Sequence, residues 1–279
     1  MGQNKRKIDN PKQIISKKYL FFSISLSLLT MAGVIWYTYT PGILAYLAPK
    51  RLPGLGIALV VSFLRVWFSA AKIRFLSAGV ISWLGAFRVQ LSWDFTSAVT
   101  PSTIGGAPMA TYAMTKEGLR LGESTAIILY SVLLDQIWFA IAIPILLVAG
   151  IYMDVVPTSV GFLGEASILI LYISLLSYAG VLAYGVLIKP SVISKIIKWF
   201  AKLPFFRKYR EKIHFEAANL EQYAHQLKAK PFRFLLQVFI YSTMSWLARV
   251  ALAPIVILSL LPAPELLSVL RSLAMNLAF

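Results

Sequence analysis

The sequence predicts an all-α, polytopic membrane helix bundle that contains a re-entrant segment with a broken helix. Three observations predict it. Apolar residues make up 58% of the 279 residues and charged residues only 14%, the apolar residues form runs long enough to cross a bilayer, and one run is interrupted by prolines and glycines. A soluble domain is nearer half apolar and a quarter charged. The composition therefore excludes a water-soluble enzyme and a disordered or fibrous chain.

The apolar runs define the membrane spans, because a bilayer core about 30 Å thick needs roughly 20 apolar residues in a helix. The predicted spans are residues 19–40, 54–71, 124–153, 166–188 and 232–261, with a partial run at 266–279. Residues 1–18 form a basic tail, and no small-residue cleavage site follows the first run. We therefore interpret that run as a retained first helix and not as a signal peptide.

Positive charge is concentrated on one side of the predicted bundle. The chain carries 27 Lys and Arg against 11 Asp and Glu, for a net charge of +16. Six cations lie in the tail and ten in residues 189–230, and 21 fall on this side once Lys72, Arg74, Lys116, Arg120 and Arg233 are included. The positive-inside rule then predicts a multi-pass cell-membrane protein with a cytoplasmic N-terminus. Nucleic acid is not a predicted partner, since basic nucleic-acid binders do not carry repeated long apolar runs.

The segment from 84 to 116 is predicted to enter the membrane and return, because the cations before and after it belong to the same side. At its centre Pro101, Gly105, Gly106 and Pro108 break the helix; proline removes a backbone donor, and glycine costs about 1 kcal/mol against alanine. Two half-helices follow, Leu84–Val99 and Pro108–Lys116, joined by an irregular turn.

The turn at Ser102–Ala107 would precede an exposed helix N-terminus with Pro108 as its first residue. Unpaired N–H groups and the positive end of the helix dipole suit an anion such as a lipid phosphate. Discontinuous helices of this kind mark substrate sites in many transporters. The alternative is a packing loop that binds nothing.

Six charged residues fall at or near apparent membrane depth. They are Arg65, Arg88, Asp94, Asp135, Arg249 and Arg271, of which the first five are candidate site residues. An ionisable side chain there is costly unless it is paired or hydrated, which makes it a functional candidate. Asp135 could pair with Arg88 or Arg249. The arginine surplus could hold a lipid phosphate while Asp135 faces a cationic headgroup or couples to a proton. The alternatives are structural ion pairs and arginines that snorkel to an interface.

Residues 189–230 form the one substantial polar segment between spans. Apolar residues recur at helical spacing at Ile193, Ile196, Ile197 and Phe200, with lysines mostly opposite. That pattern predicts a basic amphipathic helix on an anionic leaflet. The alternative is a solvated connector whose charge serves only topology. His214 and His225 are the chain's only histidines, and it has no cysteine, so no metal centre, cofactor or catalytic residue is predicted.

The stretch Thr100–Asp135 resembles the signature of the lysylphosphatidylglycerol synthase/flippase transmembrane-domain family. That signature is approximately P-x-x-x-G-G-x-P, then Tyr or Arg, then Lys/Arg-x-G, a polar turn and a long helix. Its matching residues here are Pro101, Gly105, Gly106, Pro108, Tyr112, Lys116 and Gly118. The basic-aromatic run at residues 72–75 also resembles the end of that family's second helix. The resemblance and the turn chemistry together give these candidate substrate-binding residues: Pro101, Ser102, Thr103, Gly105, Gly106, Pro108, Tyr112 and Lys116.

The resemblance implies a bundle with re-entrant segments that moves anionic or aminoacylated phospholipids across the membrane. Some family members add a soluble aminoacyltransferase domain, and because these 279 residues contain none, we expect no lipid aminoacylation by this polypeptide. The family also has a second proline- and glycine-rich motif after a helix like Leu266–Phe279, and we expect the sequence to be a fragment or to lack that half of the site.

The leading hypothesis is therefore a lipid flippase or transporter, with anionic phospholipid as its partner. A homo-oligomer or a partner synthase is an open possibility. The alternatives are a membrane enzyme that acts on lipid-linked intermediates and a non-transporting scaffold whose basic segment recruits partners.

Overall fold

The computed structural model describes residues 52–99, 106–153 and 161–260, together with isolated positions between 25 and 37, and all of its regular structure is helical in these ranges. The helices are α1 (Leu52–Leu76), α2 (Trp83–Val99), α3 (Gly106–Lys116), α4 (Leu121–Met153), α5 (Gly161–Ala183), α6 (Pro190–Phe200), α7 (Arg210–Lys228) and α8 (Phe232–Leu260). A π-helical turn, Tyr184–Ile188, continues α5, and a 3-10 turn, Pro204–Tyr209, joins α6 to α7. The all-α prediction is confirmed.

Four of the described helices are long and apolar enough to cross a membrane. These stretches are Pro53–Leu76, Leu121–Ile145, Leu169–Ile188 and Phe232–Ser259. They coincide with predicted spans, except that α1 continues past its predicted end at Ala71. The spans predicted at 19–40 and 266–279 lie outside the described residues, apart from the isolated helical positions in the first.

The direction of the spanning helices follows from side-chain pairs along their length. α1 and α8 are antiparallel, because Ser69 Oγ lies 2.6 Å from Ser245 Oγ and Lys72 Nζ lies 3.4 Å from Ser242 Oγ. α4 and α8 are parallel, because Asp135 accepts a hydrogen bond from Ser242 and Trp138 stacks on Trp246. The C-terminus of α1 therefore lies at the same end of the bundle as the N-termini of α4 and α8.

α2 and α3 form an antiparallel pair. Where α2 begins and α3 ends, Arg88 Nη1 lies 3.4 Å from Glu117 Oε1. Where α2 ends and α3 begins, Gly106 packs on Trp93 and Ser97. α2 also runs antiparallel to α1, since Trp83 stacks on Trp67 and Phe87 on Phe63. This is a helical hairpin beside a span, the geometry that the broken-helix prediction requires; its re-entry into the bilayer stays a prediction.

α6 and α7 close the end of the bundle where α1 stops. The hydroxyl group of Tyr223 in α7 donates a hydrogen bond to the carbonyl oxygen of Leu76 at 2.8 Å. A Cβ atom on Gly122, at the start of α4, would lie 2.7 Å from the backbone nitrogen of Leu220. α4 thus packs directly on the backbone of α7, and the basic segment is attached to the spanning helices.

Candidate functional site

The predicted turn residues Pro101, Ser102, Thr103 and Gly105 lie outside the described residues. Gly106 is the first residue of α3 and is buried. A Cβ atom there would lie 2.8 Å from Trp93 Nε1 and closer still to Ser97 Oγ. Gly106 is therefore positioned for close packing of the hairpin.

The remaining predicted binding residues share one exposed face of α3. Pro108, Tyr112 and Lys116 follow each other at a spacing of four, and all three are exposed. Lys116 Nζ lies 5.2 Å from the centroid of the Tyr112 ring, within the range of a cation–π contact. α3 begins two residues before the predicted start, so Pro108 sits inside the first turn, where its missing N–H costs no hydrogen bond. The opposite face, which includes Ala110 and Met114, belongs to the core.

A row of polar residues runs between α1 and α8, from the interior of the bundle to its surface. Arg65, Ser69 and Lys72 lie one turn apart on one face of α1, and Ser242, Ser245 and Arg249 do the same on α8. The Ser245 hydroxyl donates to the carbonyl oxygen of Arg65 at 3.2 Å. These six residues, together with Asp94 and Asp135, form what we call the polar seam.

One end of the polar seam is an ion pair between α1 and α2. Arg65 Nη2 lies 2.7 Å from Asp94 Oδ2, and the two side chains are 22% and 27% exposed. Gln90 Nε2 donates to the same carboxylate at 3.2 Å. The predicted membrane-depth charge at Asp94 is therefore matched by Arg65, and the pair fixes α2 against α1.

The other end of the polar seam, beyond the central Ser69–Ser245 contact, is a second ion pair, between α1 and α4. Lys72 Nζ lies 2.7 Å from Asp135 Oδ1, with side-chain exposures of only 7% and 17%. Ser242 also donates to Asp135, so three helices meet at one carboxylate. The predicted pairing of Asp135 with Arg88 or Arg249 is wrong, and so is the placement of Lys72 among the aqueous cations. Both errors have one cause, because α1 continues to Leu76 and carries Lys72 into the bundle.

Arg249 is the unmatched cation of the polar seam. Its guanidinium carbon lies 5.1 Å from the Trp246 ring centroid, and the residue is exposed. Arg249 also interacts electrostatically with Arg65, Asp94 and Asp135. Within the described ranges, however, no carboxylate lies at ion-pair distance from it. With three cations and two carboxylates, the polar seam carries one excess positive charge.

Arg88 does not belong to the polar seam. Its side chain is 64% exposed and pairs with Glu117 at the base of the α2–α3 hairpin. Such an exposed pair contributes little to stability. Of the six predicted membrane-depth charges, the structure thus brings together Arg65, Asp94, Asp135 and Arg249 and leaves Arg88 apart, while Arg271 lies outside the described residues.

The sequence reasoning missed Lys72 and the serines of the polar seam. A signal was present, because residues 65, 69 and 72 and residues 242, 245 and 249 are polar at helical spacing within apolar spans. As for metals, no cluster of three or more His, Asp or Glu in the described parts of the chain could hold an ion.

At the end of the bundle where α6 and α7 pack, a cavity of about 290 Å³ lies between α4, α6, α7 and the turn that joins α6 to α7. Its lining includes Leu121, Ile197, Ile213 and Leu220 and is mainly apolar. Nearby, burial and the charge of Glu123 raise the pKa of Tyr223 from 10.0 to about 12. The cavity lies more than two helical turns along α4 from Asp135, so the polar seam and this cavity are separate features.

Comparison with known proteins places the chain among membrane proteins. Residues 21–279 match the profile of the family described as the lysylphosphatidylglycerol synthase TM region. A UPF0104 membrane protein of Archaeoglobus fulgidus is 26% identical over 247 residues, which cover 81% of this chain and 70% of that protein. No solved structure matches the chain significantly.

Proposed function

The chain belongs to the lysylphosphatidylglycerol synthase TM region family, and from that membership and the polar seam we propose that it binds anionic or aminoacylated phospholipids, or similar lipid-linked phosphates, and moves them between leaflets. The observation that carries the proposal is the excess positive charge at Arg249. It lies among apolar spanning helices, where ionisable residues mark substrate pathways.

A phosphate group is the anion that best fits this cation. A guanidinium group can donate two parallel hydrogen bonds to a phosphate, and it is more weakly hydrated than an ammonium group. Arg249 is exposed at the surface of the described bundle, so a lipid headgroup could reach it without separation of the helices. Trp246 covers one face of the guanidinium and leaves its edge for a ligand.

The two carboxylates have a different role in the proposal. Asp135 already holds Lys72 and Ser242, and Asp94 already holds Arg65. They neutralise two of the three cations, so that the phosphate meets a net charge of one and can be released again. We therefore assign the lipid phosphate to Arg249. A cationic headgroup at Asp135 is not part of the proposal, because that carboxylate is already paired.

The α2–α3 hairpin supports movement as well as binding. Broken helices form the substrate sites of many transporters, in which one part of the bundle rocks against another around the site. Asp94 connects this hairpin to Arg65. A shift of α2 would therefore alter the charge around Arg249, which couples the hairpin to the proposed phosphate site.

The test is leaflet exchange of fluorescent phosphatidylglycerol in liposomes that contain the purified chain. We expect wild type to accelerate exchange and Arg249→Gln to slow it about ten- to a hundredfold, because a charge-assisted hydrogen bond contributes about 1.5–3 kcal/mol. Arg88→Gln is the matched control, since it removes an exposed arginine from the same bundle, and its rate should stay close to wild type.

Equal exchange by wild type, Arg249→Gln and protein-free liposomes would remove the proposal. Gly106→Trp is a second probe, because a bulky side chain there cannot fit against Trp93 and Ser97, and we expect it to slow exchange by distorting the hairpin. A covalently altered lipid in the extracts would instead favour an enzyme that acts on lipid-linked intermediates.

A further inference from the structure

Helix α6 and the turn that follows it present a continuous apolar strip to the outside of the protein. The residues that form it are 42–88% exposed, and they are Ile196, Trp199, Phe200, Leu203 and Phe205. Ile196, Trp199, Phe200 and Leu203 follow the spacing of a single helical face. Large apolar side chains that are contiguous and exposed indicate a surface that binds something.

The exposed strip is not the face by which α6 packs on the protein. Pro190, Ser194 and Ala201 are buried on the other side of the helix, and Ile193 and Ile197 pack against buried residues of α4 and α7. α6 therefore has two apolar faces, one used inside the protein and one directed outwards. The sequence pattern predicted one apolar face that includes Ile193, Ile196, Ile197 and Phe200. In the structure Ile193 and Ile197 lie on the packed face, and Ile196 and Phe200 lie on the exposed face.

Lysines border the exposed strip. Lys195 and Lys202 lie within the stretch that forms the strip and are exposed, Lys208 follows Phe205 in the chain and is exposed, and Lys198 is half-buried. The acidic residues nearest in the chain, Glu211 and Glu216, come only in α7. A strip of aromatic and aliphatic side chains with a basic border complements an anionic lipid surface, where apolar groups enter the acyl boundary and ammonium groups meet phosphates.

The position of α6 in the fold also points to a membrane surface. The helix follows directly on a candidate span that ends at Ile188, and Tyr184 and Ile188 at that end are exposed. Only Lys189 separates the end of this span from Pro190, the first residue of α6, and the strip begins at Ile196, less than two helical turns further on. Lys189 Nζ lies 6.0 Å from the Tyr184 ring centroid, at the border of the two surfaces.

We propose that this exposed strip, Ile196 to Phe205 with its bordering lysines, is a membrane-binding surface that holds α6 in the headgroup region of an anionic leaflet. Its apolar side chains would lie about 5–10 Å into the boundary between headgroups and acyl chains. The bound α6 then holds α7 and the start of α4 at a fixed height relative to the bilayer. This proposal does not depend on lipid transport and can fail or succeed separately from it.

The experiment uses the full chain, which has no native cysteine, so that single cysteines can be spin-labelled. Trp199→Cys and Leu203→Cys place labels on the strip, and Gln226→Cys places a control label on the exposed face of α7. Each protein is reconstituted at one copy per nanodisc, in phosphatidylcholine with or without phosphatidylglycerol. Collision rates with oxygen and with a water-soluble nickel chelate report the depth of each label.

We expect the labels at 199 and 203 to collide with oxygen more than with the nickel chelate, and the label at 226 to do the reverse. Lys195→Gln together with Lys202→Gln should make the label at 199 shallower in phosphatidylglycerol but not in pure phosphatidylcholine. Nickel accessibility at 199 and 203 equal to that at 226 would overturn the proposal. Equal depths in both lipid mixtures would overturn the assigned preference for anionic lipid, and protection of the strip from both reagents would show a protein partner instead.

Discussion

Removal of the Asp135 carboxylate is the perturbation with the largest expected effect on stability. The change Asp135→Leu keeps the branching and the number of side-chain heavy atoms but deletes the partner of Lys72 Nζ, which lies 2.7 Å from Asp135 Oδ1. Lys72 is only 5% exposed, and Ser242 loses its acceptor as well. An ammonium group would then remain buried between three helices without a counter-charge.

The magnitude follows from the distance and the burial. At an effective dielectric constant of about 20, two unit charges 2.7 Å apart attract each other by about 6 kcal/mol before desolvation is counted. Because both groups have already lost hydration, the loss of one partner leaves the other uncompensated, and we expect the free energy of unfolding to fall by about 3–5 kcal/mol. The double change Lys72→Met with Asp135→Leu should recover most of that loss, since it removes both charges.

The measurement is unfolding in mixed micelles, followed by helical circular dichroism, for the wild type, each single variant and the double variant. Arg88→Gln is the matched control, because its ion pair is exposed and should contribute less than about 1 kcal/mol. An Asp135→Leu protein no less stable than Arg88→Gln would refute the reasoning, and so would a double variant less stable than Asp135→Leu.

Three further changes have defined outcomes in the same assay. Ser242→Ala should lower the free energy of unfolding by about 1–3 kcal/mol, the cost of a lost hydrogen bond to a charged group, and a neutral result would contradict that bond. Gly122→Ala should lower the free energy of unfolding by about 1–3 kcal/mol, because the new methyl group meets the backbone of α7. The control Gly56→Ala has open space around it and should be neutral or slightly stabilising. A Gly56→Ala protein less stable than Gly122→Ala would be inconsistent with this packing. Because the pKa of Tyr223 is raised from 10.0 to about 12, its contribution to the free energy of unfolding is full below pH 10 and is lost as the pH rises towards about 12. Tyr223→Phe should not show this loss of stability between pH 10 and 12. Identical pH profiles of stability for wild type and Tyr223→Phe would argue against the raised pKa.

The spans could be predicted from sequence because bilayer thickness imposes a length on apolar runs. The end of α1 could not be predicted in this way. Lys72 looks like the first residue after a span, and only its partners on α4 and α8 show that the helix continues. Those partners are 63 and 170 positions away in the chain, so no local pattern contains them.

The charged positions of the candidate site were found from sequence, but their pairing was not. Arg65, Asp94, Asp135 and Arg249 stand out because ionisable residues are rare inside spans. The choice of partners depends on which helix faces meet, and that is set by packing along the whole of α1 and α8. For the same reason the sequence could not show that Gly106 faces Trp93 and Ser97 rather than an open anion site.

The central claim is that the excess positive charge of the polar seam holds the phosphate of an anionic lipid at Arg249. The most direct test is native mass spectrometry of the chain with phosphatidylglycerol and with phosphatidylcholine, for wild type and for Arg249→Gln. We predict that wild type retains phosphatidylglycerol preferentially and that Arg249→Gln loses this preference, while Arg88→Gln keeps it. Retention of phosphatidylglycerol by Arg249→Gln at the wild-type level would contradict the claim.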